Sequence, residues 1–148
     1  MHEQDVGRAL ADSMDSVLEQ MFFVTEISPS GVDQSGADQV RARVRFDGEP
    51  SGWVDVEVGA HAASMMAADF LAADEPELTP AQIEDVVLEL SNMLCGAALS
   101  RLETSALMRL SAPQPLGPCD LVTATPAAIR SVNIGTGVIT AKVHFGRP

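Results

Sequence analysis

The chain has 148 residues, 46% of them hydrophobic and 20% charged. Those proportions belong to one globular domain, and they exclude a disordered chain or a two-domain protein. Asp and Glu outnumber Lys and Arg 21 to 9, giving a net charge of -12 and a pI near 4.4. With no basic patch to release counterions, nucleic acid and anionic membrane are excluded as expected partners.

Cys95 and Cys119 are the only cysteines, too few for a secreted disulfide framework, so reduced thiols are expected. The opening MHEQDVGRAL carries acids where a signal peptide has bases. No apolar run reaches the roughly 18 residues of a membrane span. The expectation is a single soluble, cytoplasmic domain over residues 1–148.

In chain order, residues 3–22 predict a helix. Val6, Leu10, Met14, Val17, Leu18, Met21 and Phe22 recur at helical spacing. Residues 29–38, PSGVDQSGAD, read as a loop. Strict alternation over 39–46 predicts a strand, with Val40, Ala42, Val44 and Phe46 opposite Arg41, Arg43 and Arg45. After the turn DGEPSG, a second strand sets Val54, Val56 and Val58 against Trp53, Asp55 and Glu57. Paired as a hairpin, the two strands bring the arginines across from Asp55 and Glu57 on the outer face.

Residues 61–72, rich in Ala and Met, predict a short helix that DEPE at 74–77 breaks. Thr79 and Pro80 then open a longer one, as N-cap and first helical residue. Glu84 and Asp85 are expected near the positive end of its dipole. This helix is expected to run to about residue 104. Residues 107–111 and 121–125 are short strand candidates. Residues 129–134 and 138–145 are stronger ones, joined at Gly135-Thr136-Gly137 as a hairpin. The predicted class is α+β, with helices packed on a mostly antiparallel sheet.

The second long helix carries the chemistry-bearing pattern. Ile83, Val86, Val87, Leu90, Met93, Leu94, Ala97 and Ala98 make its apolar stripe. Asp85, Glu89, Asn92 and Gly96 fall at i, i+4, i+7 and i+11, along one ridge outside that stripe. Asn is a poor interior helix residue, and Gly costs about 1 kcal/mol relative to Ala there. Close approach of another element of the fold, or of a partner protein, each accounts for Gly96.

Asp85-x3-Glu89-x2-Asn92, followed after 22 residues by Pro115, resembles the signature of the CheC/CheX/FliY chemotaxis phosphatases. The wider string Glu89-Leu90-Ser91-Asn92-Met93-x2-Gly96 is similar to theirs too. Asp15-x3-Glu19-x2-Phe22 in the first helix is a partial echo, with Phe where the chemistry needs Asn. One complete motif in 148 residues is CheX-like rather than CheC-like.

The resemblance implies a phosphatase acting on the aspartyl phosphate of a CheY-like response-regulator receiver. Asn92 would position the attacking water, since a carboxamide both accepts from water and donates to a phosphoryl oxygen. Glu89 would pair with the receiver's Lys. Asp85, Gly96 and Pro115 would belong to the docking surface. No cofactor is expected on this chain; Mg²⁺ is expected on the receiver. A homodimer is expected as well, with the C-terminal hairpin at its edge.

Other chemistry finds little footing. His2, His61 and His144 are far apart, and neither cysteine stands at metal-ligand spacing from a His. The rival readings are a non-catalytic receiver-binding adaptor or flagellar switch-like module of the same fold, and a structural dimer with a solvated acidic ridge.

Overall fold

Helical and alternating periodicities resolve into three helices laid on one face of an antiparallel sheet. The computed structural model describes residues 3–22, 38–102, 108–117, 120 and 124–146. Its elements run α1 (Glu3–Phe22), β1 (Gln39–Asp47), β2 (Gly52–Gly59), α2 (Ala60–Leu71), a 3-10 turn (Glu75–Glu77), α3 (Pro80–Arg101), β3 (Arg109–Leu110), β4 (Gln114–Pro115), β5 (Ala128–Asn133) and β6 (Val138–Phe145). The class is the expected α+β. The predicted loop at 29–38, apart from Asp38, lies outside the described residues. So does most of the strand candidate at 121–125, of which 124 and 125 are irregular. Helix α3 stops at Arg101 rather than near 104, with Leu102 as its C-cap.

The sheet order is β3-β1-β2-β6-β5, and β4 also pairs with β1. Strands β3 and β4 lie end to end on β1: Phe46 faces Leu110, and Ala42 faces Pro115. Between them the Ser111 N–H donates to the Arg45 carbonyl (2.8 Å), and the Arg45 N–H donates to Ser111 Oγ (2.9 Å). Residues 109–116 therefore act as one interrupted strand that closes this edge. The opposite edge is β5, where Ile129 is 57% exposed. The β5–β6 hairpin turns as expected, with the Ile134 N–H donating to the Gly137 carbonyl at 3.0 Å and Gly135 at a φ of 91°.

One face of the sheet meets the helices. Ala42, Val44, Val54, Val56, Val58, Ile139 and Ala141 are buried against Leu10, Met14 and Leu18 of α1 and Val87, Leu90 and Leu94 of α3. Each large apolar side chain so buried contributes about 1.5–3 kcal/mol. The echo motif in α1 belongs to this framework: Phe22 is fully buried and stacks on Phe70 at 5.1 Å, and Asp15 pairs with Arg130 at 3.4 Å.

The other face departs from a simple polar surface. Arg41 does face Glu57 and Arg43 does face Asp55 in the register. Yet Trp53, Asp55, Arg43 and His144 are all buried there. The Asp120 and Ala124 carbonyls reach this face and accept from Arg43 Nη2 (3.3 Å) and His144 Nε2 (3.2 Å). Trp53 and His144 stack at 4.7 Å, and the Arg43 guanidinium lies 5.4 Å from the centre of the Trp53 ring.

Candidate active site

Helix α3 is anchored at its start. Thr79 Oγ1 accepts from the Gln82 N–H (3.2 Å), and Gln82 Oε1 accepts from the Thr79 N–H (2.9 Å), a reciprocal capping box. Pro80 takes the first helical position. Glu84 and Asp85 stand beyond the first turn, so the expected dipole contribution from them is small. Val86, Val87, Leu90, Leu94 and Ala98 face the core and fix the helix's rotation. That rotation leaves Asp85 and Glu89 exposed, with Asn92 and Gly96 half-buried behind them.

Among the described residues, neither Asp85 nor Glu89 forms an ion pair, and the Asn92 carboxamide makes no hydrogen bond within the chain. All three side chains are thus available to something outside the fold. Ser91 is not: it is fully buried and donates to the Val87 carbonyl at 2.8 Å. Burial pushes the Cys95 thiol from 9.0 up to about 12, which keeps it protonated and a poor nucleophile at neutral pH. Among the described residues no group of His, Cys, Asp and Glu is placed to hold a metal ion.

Gly96 lies against β3 only loosely. A methyl at its Cβ position would stand 3.8 Å from Leu110 Cδ1, an ordinary contact with a side chain that is itself 41% exposed. Among the described residues, nothing therefore requires glycine here. Gly96→Ala should leave the melting temperature unchanged or raise it, by a helix-propensity gain of about 1 kcal/mol. A thermal melt checks this, and a clear drop would place a tight internal contact at Gly96. Pro115, exposed on β4, sits on the strand segment beside α3. As an edge residue it needs no N–H for the ladder.

At the other end of the ridge, α2 and α3 leave an open groove of about 270 Å³. Phe70, Leu71 and Val86 form its apolar floor; Gln82, Asp85 and Glu89 form its rim. Helix α2 ends here because Ala72 turns left-handed (φ 51°), with the Ala73 N–H closing back on the Ala68 carbonyl at 3.0 Å. Leu71 is left 42% exposed beside Asp85 and Glu89. Sequence reasoning did not place Phe70 and Leu71 at the site, since helix packing alone brings them there.

The family profile "Chemotaxis phosphatase CheX" matches residues 40–135, more than half of the chain. The chain belongs to the CheX family. No curated protein matches it. CheX of Vibrio vulnificus has the same fold at a TM-score of 0.76 and 16% identity, with 99% of each chain covered. The Borrelia burgdorferi CheX-CheY-BeF3-Mg²⁺ complex matches at a TM-score of 0.75 and 15% identity, over 95% of this chain and 97% of that one. The FliM middle domain of Vibrio alginolyticus also matches, at a TM-score of 0.60 and 14% identity, over 96% and 92%. CheX membership thus comes with a fold that a FliM domain shares, and the fold alone does not assign catalysis.

Proposed function

We propose that this chain hydrolyses the aspartyl phosphate of a CheY-like receiver, with Asn92 positioning the attacking water and Glu89 docking the receiver's Lys. The observation that carries the reading is the ridge itself. A CheX-family chain presents Glu89 and Asn92 one turn apart, on a capped helix, with no internal partner among the described residues. In support, a CheX of the same fold has been solved together with CheY.

The step needs no nucleophile from this chain. Water attacks phosphorus in line as the bond between phosphorus and the aspartyl oxygen breaks; the receiver keeps the expelled aspartate carboxylate, and inorganic phosphate departs with the water's oxygen while a proton passes to solvent. Asn92 contributes by orientation, which is a substantial part of phosphoryl-transfer catalysis. A carboxamide does so without adding negative charge beside the phosphoryl group. Mg²⁺ belongs to the receiver in this reading, and this chain carries no cofactor. Gly96 leaves room for the receiver backbone, and Pro115 shapes the surface beside it. The protein works in the cytoplasm, where receivers are found. Among the described residues no helix is long and apolar enough to cross a membrane.

Release of phosphate from a panel of acetyl-phosphate-charged receivers tests the proposal. Wild type should accelerate the loss from at least one CheY-type receiver. Glu89→Ala should raise KM and lower the rate, and Glu89→Lys should do so more strongly, because it opposes like charges. Gly96→Leu should slow turnover where Gly96→Ala does not. The FliM likeness favours a second reading, a receiver-binding module without catalysis. Binding of a charged receiver with no faster dephosphorylation would select it.

The same reading includes a homodimer with two equivalent sites, formed along β5. An unpaired edge strand is a liability that a second copy removes. Light scattering should give about twice 15.6 kDa, whereas the monomer mass would rule the dimer out.

A further inference from the structure

The groove beside the ridge has a chemical character of its own. Its volume of about 270 Å³ lies just below the roughly 300–1,000 Å³ usual for small-molecule pockets. It is also open along one side, so it suits a single protruding side chain better than an enclosed ligand. The floor of Phe70, Leu71 and Val86 is apolar, and the rim carries two carboxylates. Asp85 and Glu89 are i and i+4, so their Cβ atoms stand about 6 Å apart along one edge. Among the described residues, no cation of the chain pairs with either.

The surroundings reinforce that sign. No Lys or Arg occurs between Arg45 and Arg101. Asp69, Asp74, Glu75, Glu77, Glu84, Asp85 and Glu89 are all exposed across the α2–α3 connection. An anionic occupant is repelled, and a purely apolar one leaves the rim unanswered. Lys and Arg answer both parts, because their stems lie on apolar surface while the charged head stays at the polar rim.

We propose that the groove is a socket for a surface Lys or Arg of the docked receiver, separate from the receiver's active-site Lys. Its stem lies on Phe70, Leu71 and Val86, and its head group is held by Asp85. This rests on the receiver-phosphatase reading, because any protein seated on Glu89 and Asn92 must also cover the groove. It gives Asp85 a task outside the chemical step. It also gives the chain a way to choose among receivers: those with a basic side chain at that place dock, and those with an acidic one are turned away.

Steady-state kinetics on a CheY-type receiver charged with acetyl phosphate test the socket. Asp85→Lys should raise KM about tenfold, with kcat falling by much less, since docking rather than chemistry is affected. Leu71→Ser, which removes apolar floor from an exposed position, should raise KM about threefold. Glu84→Lys makes the same charge change off the groove and should move KM less than Asp85→Lys does. Reversing the responsible receiver Lys or Arg to Glu should restore binding to Asp85→Lys. Equal effects of Asp85→Lys and Glu84→Lys would reduce the socket to a diffuse field and overturn the proposal. An unchanged KM in both Asp85→Lys and Leu71→Ser, with wild type active, would overturn it alone. If wild type neither binds nor dephosphorylates any receiver, the functional reading falls with it.

Discussion

Asn92→Ala should lower the rate of receiver dephosphorylation at saturating receiver by about 100-fold, the scale expected when a reacting water loses its orienting contact. The fold should not suffer. Asn92 makes no hydrogen bond within the chain among the described residues, so truncation leaves no buried partner unpaired. Ala is also the better helix former at this interior position of α3, by a few tenths of a kcal/mol. The melting temperature should therefore hold or rise slightly. Docking should persist as well, because the contact proposed to set register is made by Glu89. Loss of kcat with KM nearly constant is the signature of an interaction made in the transition state. Asn92→Asp sharpens the test: it keeps the shape but adds a negative charge beside the phosphoryl group, and it should be no more active than Asn92→Ala. Single-turnover phosphate release with a thermal melt of each variant gives the answer. Activity near wild type in Asn92→Ala would remove the carboxamide from the mechanism.

The helix that carries this ridge was legible because several local signals agree. Thr79 and Pro80 start it, an apolar stripe rotates it, and the polar residues left over fall on one ridge. The β1–β2 pairing was legible for a similar reason: alternation sets the apolar residues of both strands on one face and leaves the arginines across from Asp55 and Glu57 on the other. Strand β4 was not legible: Gln114 and Pro115 have neither alternation nor strand propensity, and they pair only because residues 109–116 are drawn along β1. The groove was equally hidden. Leu71 looks like one more apolar residue of α2, and its exposure depends on where Ala72 turns the chain and where α3 lies beside it. Arg43 meets in addition the Asp120 carbonyl, 77 residues away in sequence, a contact that alternation along a strand cannot report.

That buried pair should yield the largest stability effect in the chain. Arg43 Nε donates to Asp55 Oδ1 at 2.6 Å and Nη2 donates to Oδ2 at 2.9 Å, a two-point contact with both residues about 5% exposed. Asp55→Ala leaves the guanidinium buried, with the Asp120 carbonyl as its remaining acceptor among the described residues. Breaking one side of such a pair costs about 3–5 kcal/mol, a third or more of the stability of a marginal domain. For a domain of this size the melting temperature should fall by about 10 °C or more. Glu57→Ala makes the comparison. Glu57, 17% exposed, meets Arg41 at 4.0 Å and Lys142 at 3.3 Å, partners that are 20% and 31% exposed; these longer, wetter, single-point contacts should cost less to break than the Arg43–Asp55 pair. The double change Arg43→Met with Asp55→Leu should regain most of the loss, because it removes both charges and keeps the volume. Arg43 lies on β1, opposite Gln114 of β4, so the pair also supports the strand that places Pro115 beside the ridge. Asp55→Ala should accordingly lower phosphatase activity at temperatures well below its melting point, with the double variant recovering it. A melt in which Asp55→Ala and Glu57→Ala fall equally would mean that burial adds nothing to the Arg43–Asp55 contact.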